Sequence, residues 1–352
     1  MKTTIISGLG LSNPALYVPR DEAYECYMRD FDVPSAQREL YGRLLLEGPI
    51  RGRHVAMETT REAAEDDPDA LASRFERYGP QMAVAAAREA LEEAGLEAAD
   101  VGGLVVNTCT GYLCPGLSSY VAEELELPPN VRFFDLMGMG CGGAVPNLEN
   151  ATGIIARGAA QHVLSISVEV CSATLFMGDD PGLTVSNCIF GDGAAATVMS
   201  SAGASRNKLL EILDFETGLF PAYRDHLRYR TETGRLRNVL SRRVPAIGAQ
   251  TVAEVARRLL ARHRLDSRDI AWWSIHPGGT SVLDRVQKAF KLPDAAVACS
   301  HAVFGEYGNM SSPSVLFVLR RILDSGEPAC GDLGLILAFG AGFSAFAALV
   351  KF

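Results

Sequence analysis

Apolar positions along this chain follow two rhythms. Stretches with apolar residues three and four apart alternate with short, nearly continuous apolar runs that end in glycine or a polar residue. These are the patterns of amphipathic helices and buried strands. The pattern also repeats. Residues 84–108 read as a helix, then Ala-Gly-Leu, then the run Asp100-Val-Gly-Gly-Leu-Val-Val-Asn107. Residues 250–277 read as a helix, then His-Arg-Leu, then Asp269-Ile-Ala-Trp-Trp-Ser-Ile-His276. Each unit continues into a predicted helix (117–126 or 280–291) and reaches Leu-Pro, at 127–128 or 292–293. Each then makes a tight turn expected to open a helix, Gly140-Cys141-Gly-Gly or Gly308-Asn309-Met-Ser-Ser. Each closes on an apolar strand, 162–168 or 334–339.

The spacing agrees across the two copies. Asn107 precedes His276 by 169 positions and Cys141 precedes Asn309 by 168. A repeat of mixed helices and strands predicts two packed α/β halves, residues 1–215 and 216–352. Equivalent loops then converge on one site at the strand ends. Cys141 and Asn309 should occupy matching helix starts, with His276 at a strand end between them. The chain should begin with a strand, because Met-Lys-Thr-Thr-Ile-Ile-Ser-Gly lacks the apolar core of a signal peptide. Residues 333–350 are apolar enough to mimic a membrane span, but Gly334, Gly340, Gly342 and Ser344 interrupt them. Two buried strands around a glycine turn are expected there.

Composition narrows the partners. The 352 residues are 48% hydrophobic, enough for a large core, and carry a net charge of −9. An acidic chain without Lys/Arg blocks is unsuited to nucleic acid or an anionic membrane. The eight cysteines form no Cys-x-x-Cys and no zinc-spaced Cys/His cluster. They read as reduced thiols of a cytoplasmic protein with no metal.

Cys141 is the residue most suited to react. A collar of small residues, Gly138-Met-Gly-Cys-Gly-Gly143, should leave room around its sulfur. A helix start after it should favour thiolate. His276 stands in Trp273-Ser-Ile-His-Pro-Gly-Gly279, after a buried strand. Asn309 by itself reads as a helix N-cap, but its match to Cys141 turns it toward the same cavity. Together they suit decarboxylative acyl transfer. A Cys141 thiolate paired with the His276 imidazolium accepts an acyl group. His276 and Asn309 then donate hydrogen bonds to a thioester carbonyl as enolate charge develops. Loss of carbon dioxide supplies the carbanion, so no carboxylate base is required. A papain-like Cys-His-Asn protease fits neither the cysteine's context nor the repeat.

Three motifs then carry a resemblance. His276-Pro-Gly-Gly279, Tyr307-Gly-Asn-Met-Ser-Ser312 and Phe190-Gly-Asp-Gly193 resemble those of the type III polyketide synthases, the chalcone synthase-like branch of the thiolase fold. The resemblance implies an α/β thiolase-like fold, two pseudo-repeated halves layered α-β-α-β-α. It implies a homodimer that uses acyl-CoA and malonyl-CoA, extends the chain iteratively, cyclises it and needs no cofactor. Carried over, Cys141 is the acyl-accepting nucleophile and His276 with Asn309 the decarboxylation pair. Phe190 matches a gatekeeper phenylalanine between the coenzyme A tunnel and the cavity, and reads equally as core beside a Gly-Asp-Gly turn. Thr174, Ser311 and Cys109 match cavity-lining positions. Cys114 matches a residue that reaches toward the partner subunit's cavity. Buried cysteines are more often plain filler.

The departures from the family pattern lie around the cavity. Asn238 falls near the second gatekeeper phenylalanine, which implies a wider or more polar gate. The family's Gly-Phe-Gly-Pro-Gly stands here as Gly340-Ala-Gly342 after Phe339, without the proline. Among the basic residues for the coenzyme A phosphates, Arg43 matches, with Arg51 and Arg53 as nearby substitutes. Small residues around the cavity suggest room for a long aliphatic starter. Two other readings stay open on the residues alone. One is a ketoacyl synthase III-like enzyme that uses carrier-protein thioesters and stops after one condensation. The other is a non-catalytic thiolase-fold scaffold.

Overall fold

The computed structural model describes residues 3–178 and 180–352. The first half of the chain contains β1 (Thr4–Ser12), β2 (Tyr17–Pro19), α1 (Arg20–Asp30), α2 (Ser35–Leu45), β3 (Gly52–His54) and α3 (Pro68–Ala94). It continues through β4 (Gly103–Thr108), α4 (Leu117–Glu124), β5 (Arg132–Met137), α5 (Ala144–Ala156), β6 (His162–Glu169), α6 (Pro181–Ile189) and β7 (Gly193–Ser201). The second half contains β8 (Leu210–Leu219), β9 (Leu227–Glu232), β10 (Arg235–Leu240), α7 (Val244–Arg262) and β11 (Trp272–Ile275). It ends with α8 (Thr280–Phe290), α9 (Asp294–Tyr307), α10 (Ser314–Asp324), β12 (Leu333–Gly340) and β13 (Ser344–Lys351). The expected N-terminal strand is β1; residues 1 and 2 lie outside the described residues.

The repeat is visible in three dimensions. Helix α3 leads through a 3-10 turn at Ala98–Asp100 into β4, and α7 through one at Ser267–Asp269 into β11. An acid caps each turn reciprocally, Glu97 with Asp100 and Asp266 with Asp269. Strand β4 then pairs parallel to β6, as β11 does to β12. Antiparallel hairpin-like pairs follow, β6 with β7 and β12 with β13. The apolar C-terminal run is therefore two fully buried strands, where glycines allow the chain to reverse.

The half-sheets join edge to edge. β1 pairs with β8 over Thr4–Ile6, giving one nine-stranded sheet in the order β11-β12-β13-β8-β1-β7-β6-β4-β5. Helices α5 and α10 lie between the two arms of this sheet. Their core unites Leu148 and Ile155 with Val163 of one arm, and Val315 and Leu319 with Ile336 of the other. Outside one arm, α3 and α4 bury Leu91 and Val121 against Leu104 and Ile166. Outside the other, α7 and α8 bury Leu259 and Val286 against Leu335 and Leu349. The result is the α-β-α-β-α layering of a thiolase-like fold. Fully burying each such side chain contributes about 1.5–3 kcal/mol. Because the central core draws on both arms, the halves are not separate folding units. The expected boundary after residue 215 falls inside β8, a continuous strand. The chain crosses between halves earlier, between β7 and β8.

Candidate active site

Cys141 sits in a 3-10 turn, Gly140–Gly142, that runs directly into α5. The glycines around it do something other than open space for substrate. A Cβ on Gly140, where φ is +58°, would lie 2.9 Å from the backbone nitrogen of Ala341. One on Gly142 would lie 2.7 Å from the Phe346 ring. The collar lets the turn press against the other half of the molecule.

Asn309 arrives from that other half. Its backbone N–H donates to the Ile189 carbonyl (2.8 Å), and its own carbonyl accepts from Gly191 N–H (3.1 Å). The gate candidate Phe190 is thereby bridged to Asn309. Asn309 Oδ1 accepts from Ser311 N–H at 2.8 Å. Helix α10 starts only at Ser314, so Asn309 is not its N-cap. Hydrogen bonds from the side chains of Ser311 and Asn309 pull the Cys141 thiol pKa down. Ser311, two residues after Asn309, lines the same cavity as Cys141.

Burial wins over that help. It pushes the Cys141 thiol up to about 11. It also pushes the His276 imidazole down to about 3. Burial thus favours the uncharged form of each group by itself, against the expected pair of thiolate and imidazolium, because each charge alone is poorly solvated here. His276 extends β11, its N–H donating to the Leu337 carbonyl at 2.8 Å. Its ring meets Phe339 edge-on at 5.8 Å. Neither buried ring nitrogen has a hydrogen-bond partner among the described residues. The strand-end residue of the first half is the opposite case. Asn107 donates to Ser312 Oγ (2.9 Å) and accepts from Ser167 Oγ (2.6 Å). The first half's strand-end residue is thus satisfied within the protein, while the second half's leaves two buried ring nitrogens unpaired among the described residues.

A cavity of about 290 Å³ is lined by Cys141, Cys109, Phe190, Asn238, Ser311 and Ala341, among others. Thr174 lines an adjoining, larger cavity that shares Phe190. Its hydroxyl donates to the Cys171 carbonyl at 2.8 Å. Cys114 is exposed and is not brought to this cavity. Of the three arginines, Arg43 is exposed in the last turn of α2. Arg51 is exposed and pairs with Glu306 at 3.0 Å. Arg53 needs correction. It is buried, and its guanidinium donates to the carbonyls of Asn187 and Phe190 (3.0 Å to the latter). It holds the gate's backbone instead of waiting for a phosphate.

Two residues of the site escaped the sequence reading. Glu169 ends β6, fully buried, and accepts from Cys109 N–H (2.9 Å), Thr110 Oγ1 (2.9 Å) and Ser312 Oγ (2.7 Å). Burial raises its carboxyl pKa, and these donors counter that. A carboxylate closing an apolar strand, as Asn107 and His276 close theirs, was the available clue. Tyr229 lines the Cys141 cavity opposite Asn238, its partner across the β9–β10 pair. Nothing in the polar sequence of that hairpin marks it. Among the described residues, no cluster of His, Cys, Asp or Glu could hold a metal ion.

A cysteine at a helix start, an asparagine from the opposite half and an unpartnered histidine within a five-layered fold define a thiolase-fold acyltransferase site. Comparison with known proteins narrows the class. Residues 54–265 match the FAE1/Type III polyketide synthase-like family, and residues 217–351 match the C-terminal domain of chalcone and stilbene synthases. A 1,3,6,8-tetrahydroxynaphthalene synthase of Streptomyces peucetius is 32% identical over 90% of this chain and 85% of its own. The alpha-pyrone synthesis polyketide synthase-like Pks18 of Mycobacterium tuberculosis is 29% identical over 96% and 88%. The crystal structure of the 1,3,6,8-tetrahydroxynaphthalene synthase of Streptomyces coelicolor superposes with a TM-score of 0.90, at 26% identity over 99% of both chains. The chain belongs to the type III polyketide synthase family. It is an acyltransferase that forms carbon–carbon bonds by decarboxylative Claisen condensation, iteratively and with cyclised products.

Proposed function

We propose that this enzyme takes its starter and malonyl units as coenzyme A thioesters, holds the growing chain on Cys141, and works as a homodimer without a cofactor. One cavity lined by Cys141 and Ser311, which come from opposite halves, carries the reading. Cys141 passes its proton to His276 as its sulfur attacks the starter thioester, so the two charges appear together and stabilise each other. The sulfur keeps the acyl group and free coenzyme A leaves. His276 and the Asn309 amide then donate to the malonyl thioester carbonyl. Carbon dioxide leaves, its bonding electrons form the enolate, and the enolate carbon attacks the acyl-sulfur carbonyl. The Cys141 thiolate is released as the new bond forms, and the lengthened chain is recaptured for the next round.

The dimer reading rests on β5. It is the last strand of the sheet, and Phe133 and Phe134 on it are 64% and 45% exposed. An open edge bearing two phenylalanines suits antiparallel pairing with the same strand of a second copy. Cys114 lies in the loop after β4, the strand beside this edge. The eight cysteines are all unpaired, which suits a reducing, cytoplasmic setting. No helix among the described residues is long and apolar enough to cross a membrane.

The test is turnover of labelled malonyl-CoA with a series of acyl-CoA starters, with and without chelator, beside the same starters on an acyl carrier protein. Labelled polyketide and carbon dioxide from coenzyme A thioesters alone support the proposal. Strict dependence on the carrier protein or on a metal overturns it.

A further inference from the structure

The Cys171–Thr174 turn stands between two cavities. Thr174 and Ser172 line the larger one, of about 630 Å³, together with Ala23, Tyr27, Met57 and Ala63. The same turn packs against β10, whose Asn238 lines the cavity of Cys141. Phe190 lines both. A small movement of this turn therefore changes how the two spaces connect.

Two buried charged residues hold the turn from opposite ends of one residue. Arg74, on α3, donates from Nη1 to the Ser172 carbonyl at 2.8 Å. Asp192, two residues after Phe190, accepts from Ser172 N–H at 2.8 Å. Each makes a second tie to another wall of the larger cavity. Arg74 Nη2 donates to the Glu62 carbonyl (2.7 Å), beside Ala63. Asp192 accepts from Ala56 N–H (2.6 Å), beside Met57. The turn is thus cross-tied to the distant segment 56–62 through backbone groups, and both side chains are almost wholly buried. Burying two charged groups is costly unless each is fully hydrogen-bonded. A hydrophobic filler would close the same volume without defining where the Ser172 peptide sits. Neither group touches the Cys141 cavity, so the reaction does not explain them.

We propose that Arg74 and Asp192 are positioning residues that set the length of acyl chain the enzyme accepts and builds, by fixing the turn between the two cavities. The inference rests on the polyketide synthase reading above and adds the place where chain length is decided.

The experiment compares wild type with Arg74→Met, Arg74→Lys and Asp192→Asn. It measures kcat and KM across a starter-CoA length series, the product lengths by mass spectrometry, and malonyl-CoA decarboxylation. Arg74→Met and Asp192→Asn should raise KM for the longest accepted starters about tenfold or more, the scale of a displaced binding wall. They should also change the product-length distribution, while decarboxylation stays within about twofold of wild type. Arg74→Lys, which keeps the charge and one donor, should recover part of the wild-type profile. An unchanged length profile in active variants overturns the proposal. So does a parallel loss of folded protein, decarboxylation and turnover of all starters in all three variants, which marks a purely structural role. A wild-type protein that fails to condense malonyl-CoA with any starter sinks the active-site reading instead, so the two failures are distinguishable.

Discussion

At the scale of single residues, burial decides the chemistry. Cys141 and His276 are both pushed toward their neutral forms, so the free enzyme's thiol becomes more nucleophilic only as pH rises toward its raised pKa. Alkylation of Cys141 by iodoacetamide should therefore climb roughly tenfold per unit between about pH 6 and pH 9. A rate already flat at neutral pH would show that His276 holds the proton at rest. Cys141→Ala should abolish condensation; retained product would remove the cysteine from its assigned role. His276→Ala or Asn309→Ala should lower decarboxylation about a hundredfold or more while acyl loading falls less, seen by single-turnover labelling. Glu169→Gln offers an amide to donors that need an acceptor. It should cost about 1–3 kcal/mol in urea unfolding, and an unchanged midpoint would mean the surrounding hydroxyls simply reorient.

At the scale of elements, the helix start before α5 does less electrostatically than its position promises, and more sterically. Its glycines allow the turn to dock on Ala341 and Phe346, which brings the cysteine to a residue from the other half. Gly142→Ala should therefore destabilise the protein by about 1–3 kcal/mol and lower condensation, although alanine favours helix. Unfolding midpoint and turnover measured on the same preparation check this; a stabilised, fully active variant would show that Phe346 can move aside. The β9–β10 pair matters in the same way, setting Tyr229 and Asn238 opposite each other on the cavity wall.

At the scale of the whole molecule, two folded copies of one pattern share a central core and one twisted sheet. The site lies where the copies face each other, so neither half holds it alone. The exposed end of that sheet carries the last prediction. Phe133→Lys, alone or with Phe134→Lys, should halve the sedimenting mass, because like charges meet across a two-fold strand pairing. An unchanged mass would move the dimer contact elsewhere or show a monomer.

The periodicity and the 169- and 168-residue spacings were enough to read two packed α/β halves and to set Cys141 and Asn309 in equivalent turns. Both depend on local patterns that survive in one dimension: amphipathic helices, buried strands and tight turns in a repeated order. Other features were decided only by packing. That β8 groups with the second half follows from its pairing with β13 along almost its whole length, against three residues with β1. That Arg53 turns inward depends on carbonyls at the C-terminal end of α6, those of Asn187 and Phe190, distant in the chain. Glu169 joins the site because donors from two distant segments, Cys109-Thr110 and Ser312, close around it, and Tyr229 because a polar hairpin folds over the cavity. The protonation of Cys141 and His276 belongs to this second group as well. A residue type and its neighbours announce a reactive group, but desolvation is a property of everything packed around it.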